Sequence, residues 1–445
     1  MATAGLWMLA AVAVAMALTG LPAWIVLTGV SLAGSLVGIG AGAFDVSFVT
    51  GLPSRLVGLL ENDLLQALPL YVLMGALLNR LPLADILFRV GSRALAPTGA
   101  GAPLAGLGLS VLLAPMNGSV GASVSMLTRT VAPRLAAAGV APPRAAALVG
   151  VASTLGVVVP PSLVLILLGD AMLRAHTEAT NITQHAVQII NTQDVFRGAL
   201  VPAALLLALV SVMVWLMERR APGRADSSQV VSRADRRTAA LAGILIVSLL
   251  AAVTLGYLYA VEAAATGGVA LFAYGLATRT LTRSALAAVL ADTMAVTGAL
   301  FALLVGATAF TLVLRAFGTD RWIVDAVTGM GGGAMTVLAT VLALIGLCAF
   351  VLDAFEMIFV VIPVVMPPLL VRVPDAAWVA VLVLLILQAS FLVPPFGYAV
   401  MMVRSTLGRA LAPGPFTRAV LPYLGVQLAV LALVLAFPAL VWRGV

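Results

Sequence analysis

Long apolar blocks separated by short turn signals dominate the chain. Residues 6–18, 23–39, 68–90, 196–217, 239–258, 261–277, 294–314 and 419–441 each read as an apolar helix of membrane-spanning character. Residues 46–67 differ, because Arg55, Glu61 and Asp63 interrupt the leucines there. That pattern suits an amphipathic helix lying in the membrane interface. Other blocks are cut at unusual places. Residues 101–115 and 117–137 meet at a polar break, and 144–159 and 162–175 meet at Pro160 and Pro161. Likewise 335–352 and 354–370 meet at Asp353, and 377–392 and 396–407 flank Pro394 and Pro395. Several of these pieces fall short of the roughly 20 residues that a full span requires. Residues 176–194 read as a polar loop.

Composition fixes the class. Of 445 residues, 62% are hydrophobic and 9% charged, too few charges to cover a water-facing surface. A soluble enzyme, a nucleic-acid module and a disordered chain are all excluded. Continuous apolar runs exclude the alternating segments of a membrane β-barrel. What remains is an all-α polytopic membrane protein embedded in a lipid bilayer, with room for about a dozen spans. The 24 basic residues, every one Arg, exceed the 17 acids to give a charge of +7. They lie scattered between apolar runs, as in cytoplasmic loops, so the charge indicates no nucleic-acid partner. The clearest linker is 218–237, with six Arg and three acids, which the positive-inside rule puts in the cytoplasm. The opening run lacks a basic start and is followed at once by another apolar run, so it reads as a first span and not a signal peptide. A single Cys348 allows no disulfide framework.

The two halves look alike. The first has LPLYVLMGALLNR (68–80), the break PMNGS (115–119) and VASTLGVVVPPS (151–162). The second has GALFALLVGATAFTLVLR (298–315), the break LDAFE (352–356) and LQASFLVPPFG (387–397). Asn117 precedes Pro160 by 43 residues, and Asp353 precedes Pro394 by 41. Each Pro-Pro alone could simply end a helix at the membrane surface; the matched spacing points instead to repeats. Backbone groups cannot stay unpaired in hydrocarbon, so a break at that depth must be buried in protein or line a wet cavity. Half-helices meeting there offer N–H groups to anions and carbonyls to Na⁺. Paired breaks therefore suggest a secondary transporter.

The candidate chemistry sits at those breaks. Asp353 and Glu356 are ionisable groups in an apolar run, three residues apart and on one face if helical. They could hold a cation, or cap the break by bonding backbone amides. Gln388 and Ser390 add neutral oxygens before the second Pro-Pro. In the first half, Asn117, Gly118 and Ser119 form the break; Gly allows unusual dihedrals, and Asn and Ser can cap a helix. Ser123, Ser125, Ser153, Thr154 and Gly156 follow; their hydroxyls could be ion ligands or bond back to their own helix. Glu262 reads as a helix-start carboxylate, and Arg315 and Arg321 as interfacial. Arg404 could meet an anionic substrate or a lipid headgroup. No HExxH is formed, and without Lys no phosphate loop exists, so transport must draw on an ion gradient or another subunit.

At this point the residues resemble a known family. LPLYVLMGALLNR, NGSVGASV, the stretch from PPRAAALVGVASTLGVVVPPS to LILLGD, VEAAATGG, FTLVLRAFG, LDAFEMIFVVIP and LQASFLVPPFGYA are similar to the large membrane subunit of tripartite ATP-independent periplasmic (TRAP) transporters. The second-half motifs resemble its mannitol/chloroaromatic-like branch. The resemblance implies a Na⁺-coupled importer of a small organic anion, usually a carboxylate, in the bacterial inner membrane. It implies two partners: a periplasmic substrate-binding protein and a small membrane subunit of four helices. It also implies two inverted structural repeats, two re-entrant helical hairpins, and a scaffold and a transport domain of elevator type. Mapped onto this chain, residues 1–67 are scaffold helices and an arm. Residues 68–217 form the first repeat with hairpin 1 at about 101–137. After the linker, 238–293 are scaffold and arm, and 294–445 form the second repeat with hairpin 2 at about 335–370. One Na⁺ site is then expected at Met116, Asn117, Ser153, Thr154 and Pro160, and a second at Asp353, Glu356, Gln388, Ser390 and Pro394. Asn117, Gly118, Ser119, Ser123 and Arg404 are the expected substrate contacts. A self-sufficient secondary anion transporter and a non-transporting structural subunit stay open as alternatives.

Overall fold

Hydrocarbon solvent leaves a spanning chain little choice but to pair its amides and carbonyls within helices. A computed structural model describes residues 3–61, 63–113, 119–160, 162–183, 191–219, 231–408 and 411–441. Helix is the only regular structure among the described residues. Among the described residues, seven helices are long and apolar enough to cross a membrane, or up to nine if two bent pairs each count as one span. That is fewer than the dozen that length alone suggests. The reason is that Gly101–Leu113, Ala334–Cys348 and Ala376–Phe391 are apolar but short, as is Thr3–Met16, the segment read as a first span.

Two groups of helices surround the breaks. On one side, Ala23–Gly40 lies along Arg283–Ala316, and Asp63–Arg80 contacts both Ala260–Ala277 and Arg283–Ala316. Small residues allow the close approach: a Cβ on Gly306 would sit 3.1 Å from the Trp24 carbonyl oxygen. On the other side, Pro142–Val158 packs directly on Ala376–Phe391. Gly101–Leu113 leans on Pro142–Val158, and Ala334–Cys348 leans on Ala376–Phe391. The following arms reach across. Val120–Thr130 packs on Tyr398–Leu407, and Ile362–Arg372 packs on Leu163–Thr183. Each half thus holds its own proline-terminated helix with one arm and grips the other half's following helix with the next.

Helix directions follow from polar contacts. Arg144 lies 3.6 Å from Glu218 and donates to the Met217 carbonyl at 3.1 Å, so Pro142–Val158 starts where Thr192–Glu218 ends. Further along the first of these, Thr154 meets Gln427 at 3.5 Å. At the start of Ala376–Phe391, the Trp378 indole donates to the Val434 carbonyl at 2.9 Å. Tyr423, one turn before Gln427, lies within electrostatic reach of Glu218 and Arg144, so Pro413–Ala436 runs away from the end at which Thr192–Glu218 finishes, and the two are antiparallel.

Some expectations change. Residues 176–183 are not loop: Leu163–Thr183 is one 21-residue helix. Residues 184–190 lie outside the described residues, and the end of the stretch is helical again, since Asn191 caps Thr192–Glu218. Residues 283–293, outside the expected span 294–314, are helical and continuous with it, in a 34-residue helix capped by Thr282. Residues 46–67 divide into Val46–Val49 and Leu52–Leu60, after which Asp63 opens the next helix. Glu262 does start a helix: its carboxylate accepts from the Tyr259 amide at 2.9 Å in a capping box.

Candidate functional site: two helix starts and two proline breaks

The first break leads into Val120–Thr130, whose N-cap is Ser119. The Ser119 hydroxyl accepts from the Ala122 amide at 3.2 Å, satisfying one of the donors a helix start leaves free. The second break leads into Ala354–Glu356, a π turn over Met357–Val361, and Ile362–Arg372. Here the N-cap is Asp353. Its carboxylate accepts from the Ala354 amide at 2.7 Å, while Glu356 accepts from the Asp353 amide at 3.0 Å. The two carboxylates thus form a reciprocal capping box. Of the two readings open for them in the sequence, backbone capping is realised, and the oxygens not used in it can still meet an ion.

The two helix starts meet. The Ser119 hydroxyl and the Val120 amide lie within hydrogen-bonding reach of the Asp353 carboxylate. Asp353 is 7% exposed, so this junction is inside the protein. Tyr398 lies within electrostatic reach of both Asp353 and Glu356. A Cβ on Gly121 would sit 3.0 Å from the Tyr398 hydroxyl, so the first arm also abuts that ring. Nothing in the sequence marks Tyr398. Only the folding of Val120–Thr130 onto Tyr398–Leu407 brings it to the carboxylates.

The proline breaks supply backbone oxygens. Proline has no amide hydrogen, so Pro160 and Pro161 cannot donate to the carbonyls of Gly156 and Val157 four residues earlier. Pro394 and Pro395 likewise leave Ser390 and Phe391 without their helical donors. Ser390 is compensated by the Val393 amide at 3.2 Å. The turn after the second break is tight. Gly397 donates to the Val393 carbonyl, and a Cβ on it would fall 2.5 Å from the Phe391 oxygen. Only glycine fits there without a backbone shift.

Side chains around the breaks are buried and partly unsatisfied. Gln388 is 0% exposed, and neither its amide nitrogen nor its oxygen has a hydrogen-bond partner among the described residues. Ser390 is buried against the facing helix, its hydroxyl 3.0 Å from where a Cβ on Gly346 would stand. Ser153 and Thr154 donate back to the carbonyls of Gly150 and Val151 at 2.7 and 2.8 Å, which leaves the Ser153 oxygen as an acceptor, while that of Thr154 also accepts from the Gln427 amide at 3.5 Å. Ser123 and Pro160 are buried, and Pro394 is half-buried. Met116, Asn117 and Gly118 lie outside the described residues. Arg404 is exposed and sits six residues beyond Tyr398, about 9 Å along the helix. The structure therefore gathers Ser119, Asp353 and Glu356 at one junction and does not bring Arg404 into it. Neutral hydroxyl, amide and carbonyl oxygens are the hard ligands that suit Na⁺. Among the described residues no group of three His, Cys, Asp or Glu could hold a metal ion.

Comparison with known proteins gives the family. Residues 6–440 match the tripartite ATP-independent periplasmic transporter family, DctM component. The chain belongs to this family. It is 24% identical over 403 residues to the C4-dicarboxylate TRAP transporter large permease protein DctM of Pseudomonas aeruginosa, covering 89% of each chain. It is 23% identical over 403 residues to the sialic acid TRAP transporter permease protein SiaT of Haemophilus influenzae, covering 88% of this chain and 61% of that one. In fold it is similar to the YdaH transporter of Alcanivorax borkumensis, with a TM-score of 0.65, 17% identity and coverage of 88% and 89%. MtrF of Neisseria gonorrhoeae is similar with a TM-score of 0.53, 14% identity and coverage of 90% and 84%. The TRAP large-permease family is one of transporters, not enzymes, and its members are multi-pass membrane proteins. This chain is accordingly a membrane transport subunit with an all-helical transporter fold.

Proposed function

We propose that this TRAP large-permease chain imports a small organic carboxylate across the bacterial inner membrane, driven by Na⁺, and receives its cargo from a periplasmic substrate-binding protein. A small four-helix membrane subunit would complete the complex, as the family implies. The observation that carries the reading is the junction of Ser119 and Val120 with Asp353 between two proline-broken helices. Two helix starts aimed at one buried point concentrate positive potential, which favours an anion. The freed carbonyls of Gly156, Val157 and Phe391, with Ser153, Thr154 and Gln388, are chemically matched to Na⁺. Asp353 already occupies some of the amides an anion would use. Cargo binding is thus coupled to how the Asp353 and Glu356 carboxylates are held, and a Na⁺ bound nearby would relieve their mutual repulsion.

The crossed grip of each half on the other, and the antiparallel course of Thr192–Glu218 and Pro413–Ala436, support two inverted repeats. The helices around the breaks would then move as a transport domain past the others in an elevator motion. The test is uptake of candidate organic acids by the reconstituted complex. Uptake should appear with an inward Na⁺ gradient and binding protein, and collapse when choline replaces Na⁺. Equal uptake in choline overturns the coupling ion, and equal uptake without the binding protein overturns the tripartite reading.

A further inference from the structure

Away from the breaks, Asp63–Arg80, Leu83–Ala94, Arg233–Leu255 and Ala260–Ala277 enclose a cavity of about 180 Å³. Met74, Leu78, Leu245, Leu249 and Leu271 are among the residues that line it, and almost no polar atom faces in. Leu241 also lines it yet is 70% exposed, so the cavity opens sideways, where a spanning helix meets the bilayer. Its wall on Arg233–Leu255 extends from Thr238 to Leu250. Twelve residues of helix rise about 18 Å, close to one leaflet of a hydrocarbon core about 30 Å thick. The rim is basic. Arg237 stands one turn above Leu241 and Arg233 one turn further, both exposed and on the open edge. The acid at this rim, Asp235, already has Arg89 at 3.6 Å.

A slot one leaflet deep, open to the side and rimmed by arginine, has the chemistry of a lipid site. We propose that it holds one acyl chain of an anionic phospholipid from the leaflet beside the 218–237 linker, with the lipid phosphate against Arg237 and Arg89. An apolar void otherwise leaves its lining without dispersion partners, and an acyl chain restores them. Arginine supplies the planar, multiply donating group that phosphate prefers.

The test is native mass spectrometry of the full chain, extracted in mild detergent and titrated with phosphatidylglycerol or phosphatidylcholine. The wild-type chain should retain one phosphatidylglycerol at least fivefold better than phosphatidylcholine. Arg237→Gln should reduce that preference to about even. Ala242→Phe, which fills the slot, should abolish retention of either lipid while the protein stays monodisperse; Ala270→Phe on the opposite wall serves if that variant aggregates. Equal retention of both lipids by the wild-type chain, an unchanged preference in Arg237→Gln, or full retention in a monodisperse filled variant overturns the proposal. So does a Leu241→Cys chain that cross-links in membranes to a partner subunit and not to a photoreactive lipid.

Discussion

At the scale of single residues, Gln388 is the sharpest probe of whether the second break serves an ion. A buried amide with no partner costs roughly 1–3 kcal/mol, and Gln388 is such an amide at 0% exposure, with no partner among the described residues. Leucine has similar volume and nothing to satisfy. Gln388→Leu should therefore leave the thermal midpoint unchanged or raise it by a few degrees, while Na⁺-dependent uptake falls at least tenfold. Retained uptake with higher stability would make the amide an idle leftover of packing. Gly397→Ala is the opposite case. Its Cβ meets the Phe391 oxygen at 2.5 Å and the Val393 nitrogen at 2.7 Å, so the turn must open. Overpacking of this kind costs about 1–3 kcal/mol, and differential scanning fluorimetry should record a lower midpoint. Asp353 and Ser119 could be recognised in the sequence because capping residues and buried charge leave a local mark. Tyr398 could not, since its role depends on a helix that is distant in sequence.

At the scale of elements, Leu163–Thr183 holds both a lesson and a test. Its last third looks like loop because Thr177, Thr180 and Thr183 are polar. Each of them donates to a carbonyl four residues earlier, in Leu173, His176 and Ala179. That habit hides polar groups inside a helix and defeats a reading based on hydropathy. The break positions were legible because proline cannot be concealed in this way. Near the end of the same helix, Glu178 accepts from Arg315 at 2.8 Å and so ties it to Arg283–Ala316. Both side chains are about one-third exposed, and such a pair contributes little to stability, about 0–1 kcal/mol. Its value is as a ruler between the two helix groups. In a Cys348→Ala background, Glu178→Cys with Arg315→Cys, joined by a short reducible linker, should cut uptake at least tenfold, and reductant should restore it. Uptake that survives the cross-link would mean that the two groups do not slide past each other.

At the scale of the molecule, the proposed inverted repeats require that equivalent points of the two halves face opposite sides of the membrane. The base of the first arm pair is held at the linker end, because the Trp215 indole donates to the Thr98 carbonyl at 3.0 Å and Arg144 lies beside Glu218. At the base of the second arm pair, Arg372 donates to the Met330 carbonyl at 2.8 Å. Trp378, which follows that base, is fixed to Val434, near the far end of Pro413–Ala436. Basic groups at the linker end, including Arg89, Arg144, Arg219, Arg233, Arg236 and Arg237, lead us to expect that end in the cytoplasm. Single cysteines at Ala137, Ser227 and Gly331 in the Cys348→Ala background test the whole arrangement. A membrane-impermeant maleimide added to intact spheroplasts should label Gly331→Cys and leave Ala137→Cys and Ser227→Cys untouched until the membrane is opened. If Ala137→Cys and Gly331→Cys react from the same side, the two arm pairs enter from one face. The inverted relation, and with it a centre where both helix starts converge at mid-depth, would then fail.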